Sequence, residues 1–400
     1  MKVLYFHQHF STRGGSTGTR SYSMARALVS HGHEVTMVCG SSRSADTGLT
    51  GPVVGGVRRG LVDGIRVIEL SLPYSNHDGF LRRTATFLRF ALRSAWIAVR
   101  EPCDLVFATS TPLTAGVPGI AAKVLRGRRF VFEVRDLWPE LPKAMGVIRN
   151  PVVLAMMSLL EWTCYRAADR CIGLAPGIVD GIARRGFPRE RIDMIPNAAD
   201  LDLFSHSRSE DPGAARPVRA AFTGTHGLAN GLDALLDAAL ELQRRGNRSV
   251  HIDLIGDGKL KPALQERASA DGLRNVEFHE PMPKLALASR LAGTDIGLMV
   301  LANVPAFYYG TSPNKFFDYL ASGMPVVCNY PGWIADLIVR HDCGIAVPPD
   351  NPGAFADALQ ALASDSARRR QMGRNARRLA GEFDRAGLAR CFVRALEAAA

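Results

Sequence analysis

The chain alternates short apolar runs with amphipathic segments of helical length, and it does so in two successive series. The predicted strands of the first series are residues 3–6, 34–39, 104–108, 129–134 and 170–174. Those of the second series are residues 218–223, 250–255, 276–279, 295–301 and 325–328. Strands separated by helices indicate βαβ units and parallel sheets. The sequence therefore predicts two doubly wound α/β domains, which bind ligands at the carboxyl ends of their strands.

The length of 400 residues also favours two hydrophobic cores over one. Residues 205–217 are rich in Ser, Pro, Gly and Asp and contain few apolar side chains, so they are predicted to be a linker. This divides the chain into a first domain of residues 1–204 and a second of residues 218–383. Residues 384–400 are predicted to form a helix that packs across the domains.

Composition and charge narrow the classes of partner. The formal net charge of +11 favours sugar nucleotides, lipid phosphates, acidic membrane surfaces or nucleic acid. No aromatic-basic RNA motif is present, which argues against nucleic acid. The seven cysteines show no C-x-x-C pair, so no zinc or redox motif is predicted and a reducing cytoplasm is expected. We find no signal-peptide pattern and no apolar window long enough to span a bilayer.

A glycine-rich segment, residues 14–20, follows the first predicted strand. Glycine lets a backbone approach a ligand closely, and the helix after it would present free N–H groups to a phosphate. Gly15 is therefore a candidate contact of the nucleotide. The segment matches neither a Walker loop nor a strict G-x-G-x-x-G, so a simple connection is an equally good interpretation.

Charged residues follow the strand at 129–134. Arg135 is placed to hold a phosphate as a bidentate fork, and Asp136 to accept hydrogen bonds from sugar hydroxyls or to polarise an acceptor. Both follow the carboxyl end of a strand, where ligands of this architecture bind. The alternative is a structural Arg–Asp pair at a domain edge.

The segment 310–327 is the most informative stretch. Ser312 before Pro313 predicts an N-cap followed by proline at the first helical position. The N–H groups of Thr311, Ser312 and Asn314 would then hold a diphosphate, and Lys315 would add a positive charge. Asp318, one turn further along, could accept bonds from ribose hydroxyls. The alternative is an ordinary capped helix before a buried strand.

This segment resembles the signature of retaining nucleotide-sugar glycosyltransferases of family 4, in which two acidic residues precede A-x-G-x-P-V. Asp318 falls on the second acidic position, and residues 321–326 read A-S-G-M-P-V. Other segments agree in order: residues 195–204 resemble P-N-G-V-D-x-x-x-F, residues 222–224 resemble F-x-G, and residues 255–261 resemble a G-x-G loop. Residues 133–140 are similar to a branch that assembles bacterial O-antigen, capsule and exopolysaccharide.

The resemblance implies the GT-B fold, in which two Rossmann-like domains face each other across a cleft and C-terminal helices return to the first domain. The first domain would bind the acceptor and the second the donor nucleotide. The implied reaction moves a hexose, or a deoxy or N-acetyl hexose, from a nucleoside diphosphate sugar to a lipid-linked saccharide. It proceeds with retention, without metal or other cofactor, in the cytoplasm or at the inner face of the cytoplasmic membrane. UDP, GDP and dTDP remain alternatives for the nucleotide.

The resemblance also assigns residues to roles. Arg135, Asp136 and Lys315 are the expected catalytic residues. The expected donor-binding residues are Gly15, Gly224, His226, Gly256, Lys261, Thr311, Ser312, Asn314, Lys315 and Asp318.

The sequence departs from the family pattern at three positions. Gly310 stands at the first acidic position, which contacts donor-sugar hydroxyls in the family. We therefore expect either a modified donor sugar or substitution by Tyr308, Tyr309 or Thr311. The family's Arg and Lys after the first strand of the second domain fall on Thr225 and Asn230. A hydrogen bond to a charged group contributes roughly 1.5–3 kcal/mol, so other cations must replace them, and the candidates are Lys261, Lys315 and Arg135.

A helix predicted at residues 80–100 carries an amphipathic pattern. Its arginines Arg82, Arg89, Arg93 and Arg100 form one line, which is expected to lie on anionic lipid with Phe87, Phe90 and Ile97 beside it. A stripe that contains Leu81, Leu88 and Leu92 is expected to pack on the sheet. The alternative is a packed helix whose arginines extend to solvent.

Two further functions are weighed against the transferase. A sugar-nucleotide 2-epimerase of the same fold would need clustered acid and base groups, for which His226, Asp136 and Glu133 are the candidates. A non-catalytic basic protein that binds membrane surfaces is the other. A dinucleotide oxidoreductase is disfavoured because neither half has the full fingerprint with its downstream acid.

Overall fold

The computed structural model describes residues 1–42, 45–75, 78–204 and 216–400. All but the last two residues of the predicted linker 205–217 therefore lie outside the described residues. The chain forms two compact units. The first comprises Met1–Pro196, Tyr309–Ser312 and Ala386–Ala400, and the second comprises Asn197–Tyr308 and Pro313–Arg385.

The first unit is built on an eight-stranded sheet with the order β3-β4-β2-β1-β5-β6-β7-β8. Its strands are β1 (Lys2–Phe6), β2 (Glu34–Ser42), β3 (Val57–Val62), β4 (Ile65–Tyr74), β5 (Leu105–Thr109), β6 (Arg129–Val134), β7 (Arg170–Gly173) and β8 (Ile192–Met194). All neighbouring strands pair in parallel except β3 and β4. The helices between them are α1 (Arg20–Ser30), α2 (Phe80–Arg100), α3 (Val117–Arg126), α4 (Glu140–Ala144), α5 (Pro151–Ala167) and α6 (Pro176–Arg184).

The second unit contains a six-stranded parallel sheet with the order β11-β10-β9-β12-β13-β14. Its strands are β9 (Val218–Thr223), β10 (Val250–Ile255), β11 (Val276–His279), β12 (Ile296–Met299), β13 (Val326–Cys328) and β14 (Gly344–Ala346). The remaining helices are α7 (Asp233–Arg244), α8 (Lys261–Ala270), α9 (Lys284–Ala292), α10 (Pro305–Tyr309), α11 (Asn314–Ala321), α12 (Trp333–Arg340), α13 (Pro352–Ser364), α14 (Ser366–Glu382) and α15 (Arg385–Glu397).

The last helix completes the core of the first unit. Phe392 of α15 packs edge-to-face on Phe107 of β5, with ring centroids 4.9 Å apart, and belongs to the same buried cluster as Tyr5 of β1. The central strand β1 is buried along nearly its whole length because helices cover both faces of the sheet. The expected return of the C-terminal end of the chain to the first domain is confirmed for α15.

The β3–β4 hairpin is absent from the predicted strand series. Its turn is Asp63–Gly64, and both residues have positive φ, at +50° and +82°. Positive φ at both central residues is typical of the two-residue hairpin turn whose twist matches that of the flanking strands. Asp-Gly is a usual sequence for this turn. Strand β3 is only half buried, which leaves it without the continuous apolar run of the inner strands.

Helix α2 is oriented differently from the prediction. The buried face contains Phe90 and Ile97 together with small side chains, while Leu81 and Leu92 are 82% and 70% exposed. The small residues Ala91 and Ser94 are buried on this face, and α2 packs against α3. The prediction that the leucine stripe packs on the sheet is therefore wrong. Within the described residues, no helix combines the length and apolarity needed to cross a membrane.

Candidate functional site

A buried ion pair occupies the carboxyl edge of the first sheet. Arg20, at the start of α1, donates to Glu133 Oε2 from Nε at 3.0 Å and from Nη2 at 2.7 Å. Thr109 donates to Glu133 Oε1 at 2.8 Å, and Arg20 also donates to the Pro196 carbonyl at 2.6 Å. Burial alone would raise the pKa of Glu133, but the charge and hydrogen bonds of Arg20 outweigh it, so the pKa is lowered. Glu133 is therefore an ionised structural anchor rather than a free acid or base.

Arg135 follows this anchor by two residues and has different partners. Its backbone N–H donates to Ser110 Oγ at 2.9 Å, and its guanidinium Nη1 lies 3.4 Å from His7 Nε2. Among the described residues, no carboxylate oxygen lies within 4.0 Å of this guanidinium. The adjacent Asp136 hydrogen-bonds with Thr111 instead, and burial raises the pKa of its carboxyl, with Arg135 opposing the rise. A structural Arg135–Asp136 ion pair, the alternative considered above, is thus not formed.

Two histidines at the carboxyl end of β1 complete this edge. Burial, reinforced by the charge of Arg135, lowers the pKa of His7 well below its usual value and that of His9 to about 4. Both imidazoles are therefore neutral at pH 7. Neither histidine was predicted as a site residue, although the polar run His7-Gln8-His9 directly after an apolar strand is a usable signal.

The glycine-rich segment before α1 is shaped by packing. Thr12 Oγ1 donates to Asp46 at 2.8 Å, and a Cβ at Gly14 would lie 2.3 Å from an oxygen of the same carboxylate. Gly14 is therefore needed for this close approach. Gly15 has its N–H 3.4 Å from the Thr12 carbonyl. Its contact with a nucleotide stays a prediction.

In the second unit, the loops after β9 and β10 touch through their backbones. Gly256 has φ +149°, and a Cβ there would lie 1.9 Å from the carbonyl oxygen of Gly224. A Cβ at Gly258 would lie 2.5 Å from the carbonyl oxygen of His226. Glycine is thus required for the two loops to pack together at the carboxyl edge of this sheet.

Lys315, in the first turn of α11, reaches this pair of loops. Its Nζ lies 3.5 Å from the centre of the Phe222 ring and 3.4 Å from Asn230 Oδ1. A Cβ at Gly224 would lie 3.1 Å from the same ammonium. In the part of the chain that the structure describes, no carboxylate is paired with it. Desolvation by burial lowers the pKa of Lys315 well below its usual value.

Lys261 and His226 lie beside the same loops. The Lys261 ammonium donates to the carbonyls of Gly256 and His279 at 3.0 and 3.1 Å and to Glu280 at 2.7 Å. Its charge is therefore already compensated, unlike that of Lys315. The imidazole of His226 is buried, and desolvation, followed by Lys261 and Lys315, lowers its pKa to about 4.

Helix α11 begins one residue later than predicted. Its first helical residue is Asn314, with the extended Pro313 in the cap position. The predictions that Ser312 is the N-cap and that Pro313 opens the helix are therefore displaced by one residue. Thr311, Ser312 and Asn314 are all partly exposed before or at this first turn.

Asp318 lies deeper in α11 and has an ion-pair partner. It is 4% exposed, and Lys284 Nζ lies 2.6 Å from its Oδ1. The same ammonium lies 3.5 Å from Asp200 Oδ2, and Arg385 pairs with Asp200 in turn. Burial raises the pKa of Asp318, and Lys284 opposes the rise. Lys284 was not predicted as a site residue, because its partners are distant in the chain.

The residues expected to substitute for the acid missing at Gly310 differ in their surroundings. Tyr308 is buried and its hydroxyl donates to Asn303. Tyr309 is exposed, and Thr311 is partly exposed. Of the two positions that lack the family's cations, Asn230 contacts Lys315 and donates to the Thr225 carbonyl at 2.7 Å.

Comparison with protein families matches both halves of the chain. A model described as a glycosyl transferase 4-like domain matches residues 15–198, and a model described as glycosyl transferases group 1 matches residues 217–365. The D-inositol 3-phosphate glycosyltransferase of Nocardia farcinica is 31% identical over 204 residues, which cover 47% of this chain and 43% of that protein. The D-rhamnosyltransferase WbpZ of Pseudomonas aeruginosa is 26% identical over 238 residues, covering 58% and 59%. The chain thus matches about half the length of these relatives.

Solved structures are similar over the full length. Sucrose-phosphate synthase of Thermosynechococcus elongatus has a TM-score of 0.76 at 17% identity, with 100% of both chains covered. The Anabaena protein HepE, solved in complex with UDP-glucose, has a TM-score of 0.69 at 15% identity, also over 100% of both chains. These likenesses establish the two-domain GT-B fold. Together with the two domain models, they show that the chain belongs to the GT-B glycosyltransferase superfamily.

Proposed function

We propose that this protein is a retaining glycosyltransferase. It moves a hexose or a modified hexose from a nucleoside diphosphate sugar to a saccharide acceptor linked to a lipid. The observation that carries the proposal is the Lys315 ammonium, which lies in the first turn of α11 without a carboxylate partner among the described residues. A desolvated cation of this kind needs an anion, because burying an uncompensated charge is costly.

The diphosphate of the donor supplies that anion. The free N–H groups at the start of α11 and the positive end of its dipole favour negative charge at the same place. Gly224 offers its backbone next to Lys315, and Thr311, Ser312 and Asn314 stand before or at the turn. Lys315, positioned by Asn230, thereby replaces the cations that the family pattern places at positions 225 and 230. It would stabilise the charge that develops on the leaving diphosphate.

The proposed transfer proceeds on one face of the donor sugar. The bond between the anomeric carbon and the diphosphate oxygen breaks, and the acceptor oxygen bonds to the anomeric carbon on the same face. The acceptor proton passes to an oxygen of the departing diphosphate, so no enzymic nucleophile is needed. Asp136 is proposed to hold the acceptor hydroxyl, with Arg135 beside it.

The relatives support a nucleotide-sugar donor without fixing which one. HepE was solved with UDP-glucose, and the Pseudomonas relative is named for transfer of D-rhamnose, a deoxyhexose. Gly310 leaves no carboxylate for a sugar hydroxyl, which fits a donor that lacks or modifies one. A panel of UDP, GDP and dTDP with their common sugars, read by thermal shift, tests the donor. A ligand at a hundredfold excess over its dissociation constant should stabilise the protein by about 2.7 kcal/mol.

The same panel separates the alternatives. Exchange of isotope at the sugar C2 position without acceptor would identify the 2-epimerase. Absence of any shift with all three nucleotides would favour the non-catalytic binder. Sugar transfer with retained anomeric configuration, read by NMR of the product, is the result that we expect.

We further propose that the protein binds anionic membrane through three adjacent helices of the first unit. Their exposed apolar side chains, which we call the α2–α3–α5 surface, are Leu81, Leu88, Leu92, Trp96, Val124, Leu125, Val152, Met156, Leu159 and Trp162. Helix α3 packs against both α2 and α5. Soluble proteins seldom leave so much large apolar side chain exposed in one region.

Charge favours a lipid partner for this surface. The three helices carry five, two and one basic residues and a single acidic residue, Glu161, which is buried and paired with Arg185. Arg100 lies over the Trp96 ring at 4.3 Å and Arg166 over the Trp162 ring at 5.9 Å. Aromatic rings beside arginines suit the interface between lipid headgroups and acyl chains. Arg93, one of the four arginines of the predicted line, donates hydrogen bonds to the carbonyls of Gly55 and Gly56, both at 3.4 Å.

A further inference from the structure

We propose that the second unit contains a binding site for Zn²⁺ or a similar transition-metal ion, formed by His251, Asp253, Glu277 and His279. These side chains lie on the neighbouring strands β10 and β11, and none of them has a role in the proposed donor site. The ion would tie the two strands together and take no part in sugar transfer. The inference is therefore independent of the proposed function.

The pairing of the two strands brings the four side chains together. Asp253 of β10 stands opposite Glu277 of β11, and His251 and His279 each lie two residues away along their own strand. Residues two apart in a strand point to the same face of the sheet. Ile252, between the two ligands of β10, belongs to the apolar core of the second unit. The polar side chains therefore share the opposite face.

The ligand atoms are spaced as a single ion requires. The Nε2 atom of His251 lies 3.9 Å from Asp253 Oδ1 and 3.5 Å from Glu277 Oε2. The Nε2 atom of His279 lies 2.9 Å and 3.6 Å from the same two oxygens. A tetrahedral ion with metal–ligand distances of about 2.0–2.1 Å keeps neighbouring ligand atoms about 3.3–3.4 Å apart. The four separations bracket this value.

The protonation states of the two acids suit a metal ion. Burial alone would raise the pKa of Asp253 and of Glu277, but the hydrogen bonds of Arg219 outweigh it, so both pKa values are lowered. Metal ligands must be deprotonated, and two carboxylates balance the charge of one divalent ion. Imidazole ligands favour zinc and its neighbours, whereas Mg²⁺ and Ca²⁺ prefer oxygen alone.

The observation that points to a ligand is the ring of His251. Its Nε2 atom is buried and has no hydrogen-bond partner among the described residues, although it faces the two carboxylates. Buried polar atoms are normally paired, so an orphan nitrogen at this place calls for an explanation. An ion bound between this nitrogen and the two carboxylate oxygens would satisfy it.

Arg219 of β9 competes for the same position. Its Nη2 atom lies 2.5 Å from Asp253 Oδ1 and 3.1 Å from Glu277 Oε2, so in this structure the guanidinium joins the two carboxylates. Arg290 lies further out, 3.6 Å from the same Asp253 oxygen. The Arg219 side chain is 29% exposed, which gives it a path to solvent when an ion displaces it. The alternative is a charge network in which Arg219 is the only partner of these acids.

Metal binding to the full-length protein tests the proposal. The protein is stripped with EDTA, the chelator is removed by dialysis, and Zn²⁺ is titrated in competition with a chromophoric chelator. We expect one tightly bound equivalent per chain. Co²⁺ in its place should give the intense visible absorption of a tetrahedral site. The absence of a bound equivalent would overturn the proposal.

Variants of the ligands locate the ion. His251→Gln and Glu277→Gln should each weaken Zn²⁺ binding at least about a hundredfold, since even the loss of a group that only orients a ligand costs tenfold to a hundredfold. Both side chains are partly exposed, so these variants should fold and should bind UDP as the wild type does. His31→Gln, at an exposed histidine, is the control and should bind Zn²⁺ normally. Wild-type Zn²⁺ affinity in His251→Gln and Glu277→Gln would overturn the assignment.

Removal of Arg219 separates the metal site from the charge network. If the guanidinium competes with the ion, Arg219→Met should tighten Zn²⁺ binding about tenfold or more, the equivalent of one hydrogen bond to a charged group. Zn²⁺ should then restore the thermal stability that Arg219→Met loses. A destabilised Arg219→Met protein whose stability and Zn²⁺ affinity do not rise would show that the arginine is the only partner, and the proposal would fail.

Discussion

The ammonium of Lys315 lies over the ring of Phe222, with Nζ 3.5 Å from its centre, and has no ion-pair partner in the described part of the chain. If this charge meets the donor diphosphate, Lys315→Met should weaken UDP binding roughly tenfold to a hundredfold, the value of a charge-assisted hydrogen bond. Isothermal calorimetry with UDP checks this. Lys259→Met is the control, because Lys259 is exposed on the loop after β10. Equal UDP affinity in both variants would refute the assignment.

A second prediction concerns Lys284. Replacing it with Met leaves Asp318 and Asp200 buried without its charge, and removal of one partner from a buried pair costs about 3–5 kcal/mol. Urea unfolding should show a loss of this size. Arg245→Met breaks an exposed network with Glu241 and Asp357 and should cost less than about 1 kcal/mol. A small loss for Lys284→Met would mean that water already screens the pair.

The third prediction follows from His9, whose pKa falls to about 4 in the folded protein. In the unfolded chain the pKa of this residue is about 6.5, so the unfolded state takes up the proton at a higher pH than the folded state. The stability contributed by neutral His9 is therefore present above about pH 6.5 and is lost as pH falls toward about 4, by roughly 3 kcal/mol. Urea unfolding midpoints between these pH values should decline less in His9→Phe than in the wild type. His31→Phe, at an exposed position, is the control and should keep the full decline.

The α2–α3–α5 surface makes a fourth prediction. Leu88→Asp combined with Leu92→Asp should reduce co-flotation with phosphatidylglycerol-containing vesicles at least tenfold, because acidic side chains oppose both insertion and anionic lipid. Arg89→Glu combined with Arg100→Glu should reduce it as well and should weaken the salt dependence. Leu285→Asp, at an exposed leucine of α9, should leave flotation unchanged. If all variants float as the wild type does, this surface has another partner.

Metal dependence gives the fifth prediction. Because Lys315 and the first turn of α11 are proposed to meet the diphosphate charge, sugar transfer should continue in excess EDTA at close to its normal rate. Turnover measured by release of the nucleoside diphosphate checks this. Loss of turnover that Mg²⁺ or Mn²⁺ restores would show that the protein cations do not suffice.

The inner strands were predictable from sequence because parallel strands are buried on both faces and so form unbroken apolar runs. The strands β6, β9 and β10 coincide with their predicted bounds. The β3–β4 hairpin was not predicted, since one of its strands is half exposed and its turn is marked by only two residues. The packing face of α2 was mistaken because a leucine stripe and a stripe of small residues have the same helical period.

The candidate site was predictable only where the signal is local. Lys315 and Arg135 stand in recognisable segments next to strand or helix ends. The contacts of the site join distant segments: Arg135 and His7 are 128 residues apart, and Lys284 and Asp318 are 34 apart. No pattern of spacing encodes such contacts, so Lys284 emerged only from the structure, whereas the local signal at His7 and His9 was overlooked.

The near contact between Gly256 and the Gly224 carbonyl limits how this enzyme can be re-engineered. A methyl group at position 256 would separate the two loops, so libraries randomised there would yield mostly misassembled protein rather than new donor preferences. Diversity is better placed at Thr225 and Tyr309, whose side chains are exposed. Evolution of a new sugar preference should therefore proceed by changing the side chains around a fixed pair of loops.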